Sequence, residues 1–374
     1  MTVWIYAVLA ALCFALFMYP YLIYPLVLRT LSRKPVRAAP ADFPVSLLFC
    51  AYNEVEALPE KIENLRRLRE RMPDLEVLAY DDNSNDGSSE LLAQAADVVT
   101  VIRGAGRTGK AAGMKRLAAL ARGEILIFTD ANVILAPDAI ANLLPYYADP
   151  DVGGVCGTLR YSSDPMSATA QVGTLYWRLD EDLRLHESAT GDVMGADGSI
   201  FSTRKSLYPS FPDTVLDDFT VSMSVIFAGK RLISAPDVIA FERSVARREE
   251  ELRRKIRIGA RAFHTHRHLK HQIKRMSARN RFKYVSHKLL RWFGGLFLTA
   301  GAGFALIAIA LASPVAALGL AAAGCLLLLA SLRSRNGILA KLSDILLSTF
   351  ATLIGVVQGM RGRTVTTWSP AKSR

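Results

Sequence analysis

VSLLFCAYNEVEALPEKIENLRRLRERMPDLEVLAYDDNSNDGSS, residues 45–89, decides the fold class. Val45–Cys50 is a short apolar run of the length of a buried strand. From Glu54 to Arg71 the period changes: Leu58, Ile62, Leu65 and Leu68 fall at helical spacing among charged residues. Leu75–Tyr80 returns to a strand and runs into Asp81, and Ser88–Ala95 reads as the next helix. Downstream the alternation continues with a strand over Val98–Ile102, a helix over Lys110–Ala121 and a strand over Glu124–Thr129. Alternating β and α units predict an α/β domain with a mostly parallel sheet covered by helices.

Three polar clusters fall at predicted strand ends: Tyr52-Asn53-Glu54, Asp81-Asp82-Asn83-Ser84 and Asp130-Ala131-Asn132. Ligands of such sheets bind beyond the C-terminal strand ends. Asp81 and Asp82 can accept hydrogen bonds from a uracil imide or from ribose hydroxyls, with Tyr52 against the base; the same run also reads as a turn with a helix cap. Asp130 and Asn132 offer two hard oxygens at i, i+2. That suits Mg2+ or Mn2+ bridging phosphate oxygens, or a helix cap. Gly104–Gly113 is a glycine-rich basic loop with the spacing of a Walker A motif, but Ala111 stands where Ser or Thr would hold Mg2+. This argues against an ATPase and leaves Lys110 as a diphosphate contact. Asp217 and Asp218 open an apolar helix and supply either a general base or a cap. Arg254, Arg257 and Arg261 share a helical face that fits a pyrophosphate or anionic lipid. His264, His266, His268 and His271 lack partner ligands at zinc-like spacing and read as part of a solvated or lipid-facing basic helix.

Outward from this domain the chain becomes apolar. Residues 3–28 carry no charge, more than the ~20 residues that span a bilayer, and lack the basic start and cleavage site of a signal peptide. Arg29, Arg33, Lys34 and Arg37 follow at once, which places residue 30 onward in the cytoplasm. Residues 293–312 and 315–332 predict a helical hairpin turning at Ser313-Pro314. Lys283, Lys288 and Arg291 lie before it and Arg333 and Arg335 after it, so both its ends are cytoplasmic. The stretch 338–360 contains Lys341 and Asp344 and is followed by Arg361, Arg363, Lys372 and Arg374; a re-entrant or interfacial helix fits it better than a span. The net charge of +12 is carried largely beside these segments, so anionic lipid rather than nucleic acid is the expected partner. Cys13, Cys50, Cys156 and Cys325 are far apart and read as buried thiols. The expected organisation is an N-terminal membrane helix (1–30), a basic linker (31–43), a cytosolic α/β domain (44–262), a basic interfacial helix or linker (263–288) and a C-terminal membrane region (289–374).

With those clusters in order, the chain resembles the membrane-bound family 2 glycosyltransferases of GT-A fold, the branch of the cellulose, chitin and hyaluronan synthases and of exopolysaccharide transferases. The carrying motifs are Ala51-Tyr52-Asn53-Glu54, Asp81-Asp82-Asn83-Ser84, Gly109-Lys110 with Lys115 in place of an Asn, Asp130-Ala131-Asn132 in place of Asp-x-Asp, Gly195-Ala196-Asp197-Gly198-Ser199, and Asp217-Asp218. The resemblance implies a nucleotide-sugar domain, for a UDP-sugar in the sense of the Asp81-Asp82 motif, in which Ala51, Tyr52, Glu54, Asp81, Asp82, Lys110 and Asp130 bind the donor. It implies that Asp130 and Asn132 hold Mg2+ or Mn2+, that Asp197 and Gly198 border the acceptor, and that Asp218, with Asp217, is the base of an inverting transfer. The synthases' Gln-x-x-Arg-Trp is Arg254-Lys255-Ile256-Arg257-Ile258 here, which keeps Arg257, beside Arg254, for the diphosphate and loses the Gln and Trp that lie against a growing glycan. Single transfer to a polyprenyl-linked or glycan acceptor at the inner membrane, in surface polysaccharide synthesis, is therefore expected over processive synthesis or an inactive nucleotide-binding scaffold.

Overall fold

A computed structural model describes residues 1–161, 168–243, 247–334, 337–364 and 366–367. Arg335, Lys372 and Arg374, used above for topology, lie outside the described residues. After the 29-residue helix α1 (Thr2–Thr30) come β1 (Val45–Ala51), α2 (Leu58–Arg71), β2 (Glu76–Asp81), α3 (Ser88–Gln94), β3 (Thr100–Arg103), α4 (Lys110–Leu120) and β4 (Ile125–Asp130). Then follow β5 (Ile134–Leu135), α5 (Ala139–Leu143), β6 (Val152–Tyr161), α6 (Ala168–Ala189), β7 (Ile200–Arg204), α7 (Asp217–Phe227) and β8 (Arg231–Glu242). Among the described residues that follow, the elements are α8 (Arg248–Arg275), α9 (Ala278–Tyr284), a π-helical turn over Val285–Leu289, α10 (Leu290–Trp292), α11 (Gly294–Ala312), α12 (Pro314–Arg333) and α13 (Gly337–Met360).

The sheet runs β3-β2-β1-β4-β7-β6-β8-β5. β1 pairs parallel with β2 and β4, and β2 with β3, so the ends carrying the three polar clusters share one edge. Beyond β4 the sheet is mixed, since β7 runs antiparallel to both β4 and β6. Every residue of β1 is buried. Leu47, Phe49 and Ala51 face the core shared with α2, while Leu48 and Cys50 face the core under α4. A strand covered on both faces needs no polar alternation, which is why its sequence is a continuous apolar run. Each fully buried Leu or Phe there contributes ~1.5–3 kcal/mol.

The expected helix over Glu54–Arg71 begins instead at Leu58. Glu54–Ala57 form a turn whose Glu54 carbonyl accepts from the N–H groups of Ala57 and Leu58, and Pro59, lacking an N–H, fits the first helical turn. At the C-terminal side of the domain, α8 runs unbroken through residue 262, placed above as a domain boundary.

Among the described residues four helices, α1, α11, α12 (to Ser331) and α13, are long and apolar enough to cross a membrane. α1 packs on α11, where Gly294 and Gly301 leave room for the rings of Phe17 and Phe14. The C-terminal end of α1 docks on the α/β domain: Tyr24 and Leu28 are fully buried against Leu183 of α6, and the Tyr24 hydroxyl donates to Glu187 Oε1 at 2.6 Å.

Candidate active site

The ends of β1 and β2 are stitched into a frame. Ala51 accepts from the Asp82 N–H, Asn53 N–H donates to Ser84 Oγ, and Glu54 N–H donates to Ser88 Oγ. Asp81 accepts from Ser84 N–H and from the Ser89 hydroxyl. Asp82 has no exposed surface; its carboxylate accepts from the N–H groups of Thr108 (2.7 Å) and Gly109 (3.0 Å). In this structure both acids therefore face inward. Asp82 fixes the glycine loop that starts α4, and Asp81 fixes the turn after β2. The ring of Tyr52 carries the guanidinium of Arg107 at 3.4 Å, and Arg107 in turn lies 4.0 Å from Asp82.

Because Asp82 holds that loop, Lys110 at the first turn of α4 points across the sheet edge. Its Nζ lies 2.5 Å from Asp130 Oδ1 at the end of β4 and 4.0 Å from Asp217 Oδ2 at the start of α7. Gly198 stands over the same point: a Cβ there would lie 2.8 Å from Lys110 Nζ, 3.4 Å from Asp218 Oδ2 and 3.6 Å from Asp130 Oδ2. Four groups from three distant segments thus converge beneath one bare glycine. Asp218 Oδ1 accepts from Phe219 N–H at 2.6 Å, which leaves Oδ2 on the side of Gly198. Burial, with Asp217 alongside, pushes the Asp218 carboxyl up to about 7, against the opposing pull of Lys110. Burial acts to lower Lys110, but Asp130, Asp217 and Asp218 outweigh it and hold the lysine charged.

Asn132 donates Nδ2 to Glu242 Oε1 at 2.8 Å, which turns its amide oxygen to other partners. Asp130 keeps 37% of its side chain exposed. A carboxylate and an amide oxygen two residues apart fit a hard divalent cation that draws further ligands from a diphosphate. Among the described residues no group of three or more His, Cys, Asp or Glu forms a complete metal site, so this pair suits a cation shared with substrate.

Asp197 accepts from Ser199 N–H at 2.9 Å and from Arg184 Nη1 at 2.6 Å, and so shapes the loop that carries Gly198. Arg254 on α8 lies 3.3 Å from Glu251, and Arg257 is half-buried one turn further on. Arg261, expected on the same cationic face, is instead buried and donates to Val215 O at 2.8 Å, anchoring the loop before Asp217. Lys115 pairs with Asp213 and donates to Phe211 O. The histidine run is less solvated than its charge predicts: His266 stacks on Tyr284 and bonds its hydroxyl at 2.8 Å, and burial lowers its pKa.

Two functional supports were missed in the sequence. Lys61 is fully buried beneath the Asp130–Asn132 turn and donates to Val133 O at 2.6 Å. Its signal was present, since Lys61 falls on the apolar face of α2 with Leu58, Ile62 and Leu65. Arg184 shows only an i,i+4 pairing with Asp180, which any helix can carry; its partner Asp197 joins it through the fold.

Residues 46–209 match the family model described as glycosyl transferase family 2. Two β-monoglucosyldiacylglycerol synthases, from Trichormus variabilis and Nostoc sp., are each 31% identical over 116 residues, 30% of this chain. The match spans a quarter (25%) of the length of each relative. A mannosyltransferase from Pyrobaculum calidifontis, solved with GDP-Man and Mn2+, superposes with a TM-score of 0.74 at 23% identity over 96% of this chain and 99% of its own. The chain carries a family 2 glycosyltransferase domain, and its fold is the GT-A fold with apolar helices on either side.

Proposed function

Starting from a family 2 glycosyltransferase domain, we propose that this protein transfers a sugar from a nucleoside diphosphate sugar to a hydroxyl of a lipid-linked acceptor at the cytoplasmic membrane. The observation that carries this reading is the convergence of Lys110, Asp130, Asp217 and Asp218 under Gly198, at the strand ends where such sheets bind ligands. Asp218 Oδ2 takes the proton of the acceptor hydroxyl, a task for which a base near neutrality is suited. The acceptor oxygen forms a bond to the anomeric carbon as the bond from that carbon to the diphosphate breaks. Its electron pair leaves with the nucleoside diphosphate, and the anomeric centre inverts. Lys110, already charged, faces the developing negative charge on the leaving group. Asp130 and Asn132 would hold Mg2+ or Mn2+, which when bound adds positive charge at the diphosphate.

Around this centre Ala51, Tyr52, Glu54, Asp81 and Asp82 build the donor side, Asp82 through the glycine loop that it holds and Asp81 through the turn after β2. Arg254 and Arg257 offer guanidinium groups to phosphate from α8. Gly198, by lacking a side chain, leaves the acceptor room beside Asp218. A lipid acceptor is supported by the names of the two relatives and by the apolar helices that flank the domain. The test is nucleoside diphosphate release by the full-length protein in nanodiscs, across UDP- and GDP-sugars, with diacylglycerol, glycosyl-diacylglycerol and polyprenyl-linked acceptors. We expect release with one donor class that requires a lipid acceptor and falls to background in Asp130→Ala. Release that is indifferent to every lipid, or unchanged in that variant, contradicts the reading.

A further inference from the structure

The loop over residues 194–199 carries Gly198 above Lys110, Asp130 and Asp218, and α6 holds it at two points. Glu187 Oε2 accepts from the Met194 N–H at 3.1 Å, where the loop begins. Arg184 Nη1 donates to Asp197 Oδ2 at 2.6 Å, next to Gly198 itself. A further contact, from Ala196 N–H to Ser222 Oγ, comes from α7. Arg184 is fixed in turn, because its Nε donates to Asp180 Oδ2 at 2.9 Å. The guanidinium thus spans two carboxylates, one on its own helix and one on the loop.

The two α6 carboxylates, Asp180 and Glu187, converge on one residue outside the α/β domain. His287 is buried and presents Nδ1 to Glu187 Oε1 at 3.0 Å and Nε2 to Asp180 Oδ1 at 3.2 Å. It sits in the π-helical turn Val285–Leu289, a deformation that recurs where a helix must aim a functional side chain. Arg291, just before α11, also donates to Asp180, and its guanidinium covers the Tyr21 ring of α1 at 5.0 Å. Tyr24 of α1 donates to Glu187 Oε1 at 2.6 Å. Burial alone would raise both acids. Instead Arg184, Arg291 and His287 hold Asp180 well below the usual carboxylate range, and His287, Tyr24 and Lys283 lower Glu187. A carboxylate that serves three donors in a dry site holds one geometry.

We propose that Arg184, Glu187 and His287 are positioning residues for the acceptor: they lock the loop of Gly198 to the junction where α1 and the turn before α11 meet the domain. The acceptor face is thereby set from the membrane end of the molecule, while the donor face is set separately by Asp82 and the glycine loop. A cluster that only stabilised the fold would weaken both faces alike. The acceptor assignment rests on the transfer reading above; the hold on the loop does not.

The test uses the full-length chain in nanodiscs. Hydrogen exchange of the 194–199 loop is compared with that of the glycine loop, residues 104–113, in Arg184→Lys, His287→Gln and Asp197→Asn. Exchange at 194–199 should quicken ~10–100-fold, as for loss of one hydrogen bond to a charged group, with the glycine loop unchanged. Release assays with diacylglycerol, glycosyl-diacylglycerol and polyprenyl-linked acceptors should show kcat/KM for the acceptor lowered ~10–100-fold, with UDP or GDP binding in Mn2+ held within about twofold. When Arg184→Lys is combined with Asp197→Asn, the two losses should not multiply, since both break the same contact. Unchanged exchange at 194–199, equal disturbance of the two loops, or losses that multiply would each overturn the proposal. If a buried variant fails to fold, Asp197→Asn, whose side chain keeps 20% exposed, carries the comparison. A chain that releases no nucleoside diphosphate with any lipid defeats the transfer reading, and hydrogen exchange then decides the hold on the loop by itself.

Discussion

Lys61, fully buried, and Lys110, half-buried, both lie within reach of the Asp130 turn, and their surroundings send them opposite ways. Lys61 has a carbonyl for a partner, and burial brings its pKa down to about 7. Lys110 keeps 15% of its side chain exposed, faces Asp130, Asp217 and Asp218, and remains charged. The first is a strut whose charge is a cost to the fold; the second is a cation held in place for something negative. The lesson is that depth alone does not mark a functional lysine, whereas a set of carboxylates brought together from β4 and α7 does.

The largest expected effect of breaking this contrast is at Lys110. Lys110→Met should lower kcat by ~10^2–10^3, the range for loss of one preorganised charge at a leaving group, in a product-release assay. Next, Asp82→Asn should loosen the glycine loop, since the amides of Thr108 and of buried Gly109 lose their carboxylate. A loss of ~1–3 kcal/mol is expected in thermal or denaturant unfolding, with donor KM raised more than kcat is lowered. Chelation should remove activity and added Mn2+ or Mg2+ restore it, if Asp130 and Asn132 hold a cation; turnover unaffected by chelator argues against that pair. The smallest effect is at Lys61. Its folded pKa lies below the unfolded value near 10.5, so the unfolded chain binds more protons between about pH 7 and 10. Stability should therefore rise with pH in that window, and Lys61→Met should flatten this part of the Tm–pH curve without abolishing transfer.

The same contrast explains what was legible beforehand. The strands and helices from Val45 to Asp130 could be read to within a few residues because each is fixed by local periodicity and by sequence neighbours. The three polar clusters were legible as strand ends for the same reason. What Asp82 does was not, because its partners Thr108 and Gly109 are chosen by the loop and not by the turn in which Asp82 sits. Arg261 was misplaced on a cationic face because helical spacing reports which residues align, not which side the domain covers. The buried cluster of Asp180, Arg184, Glu187, His287 and Arg291 joins two segments a hundred or more positions apart, a separation that no local pattern spans. The mixed half of the sheet, β6 to β8, was likewise unread, since its order depends on pairings across the chain.

The central claim is that the fold makes Asp218 a base near neutrality, and the pH dependence of kcat/KM tests it most directly. A base works when deprotonated, so kcat/KM should fall as pH drops through about 7, and Asp218→Asn should lose ~10^2–10^4 in rate while still binding donor. A limb near pH 4, as for an ordinary carboxylate, or near-normal turnover in Asp218→Asn, would contradict the account.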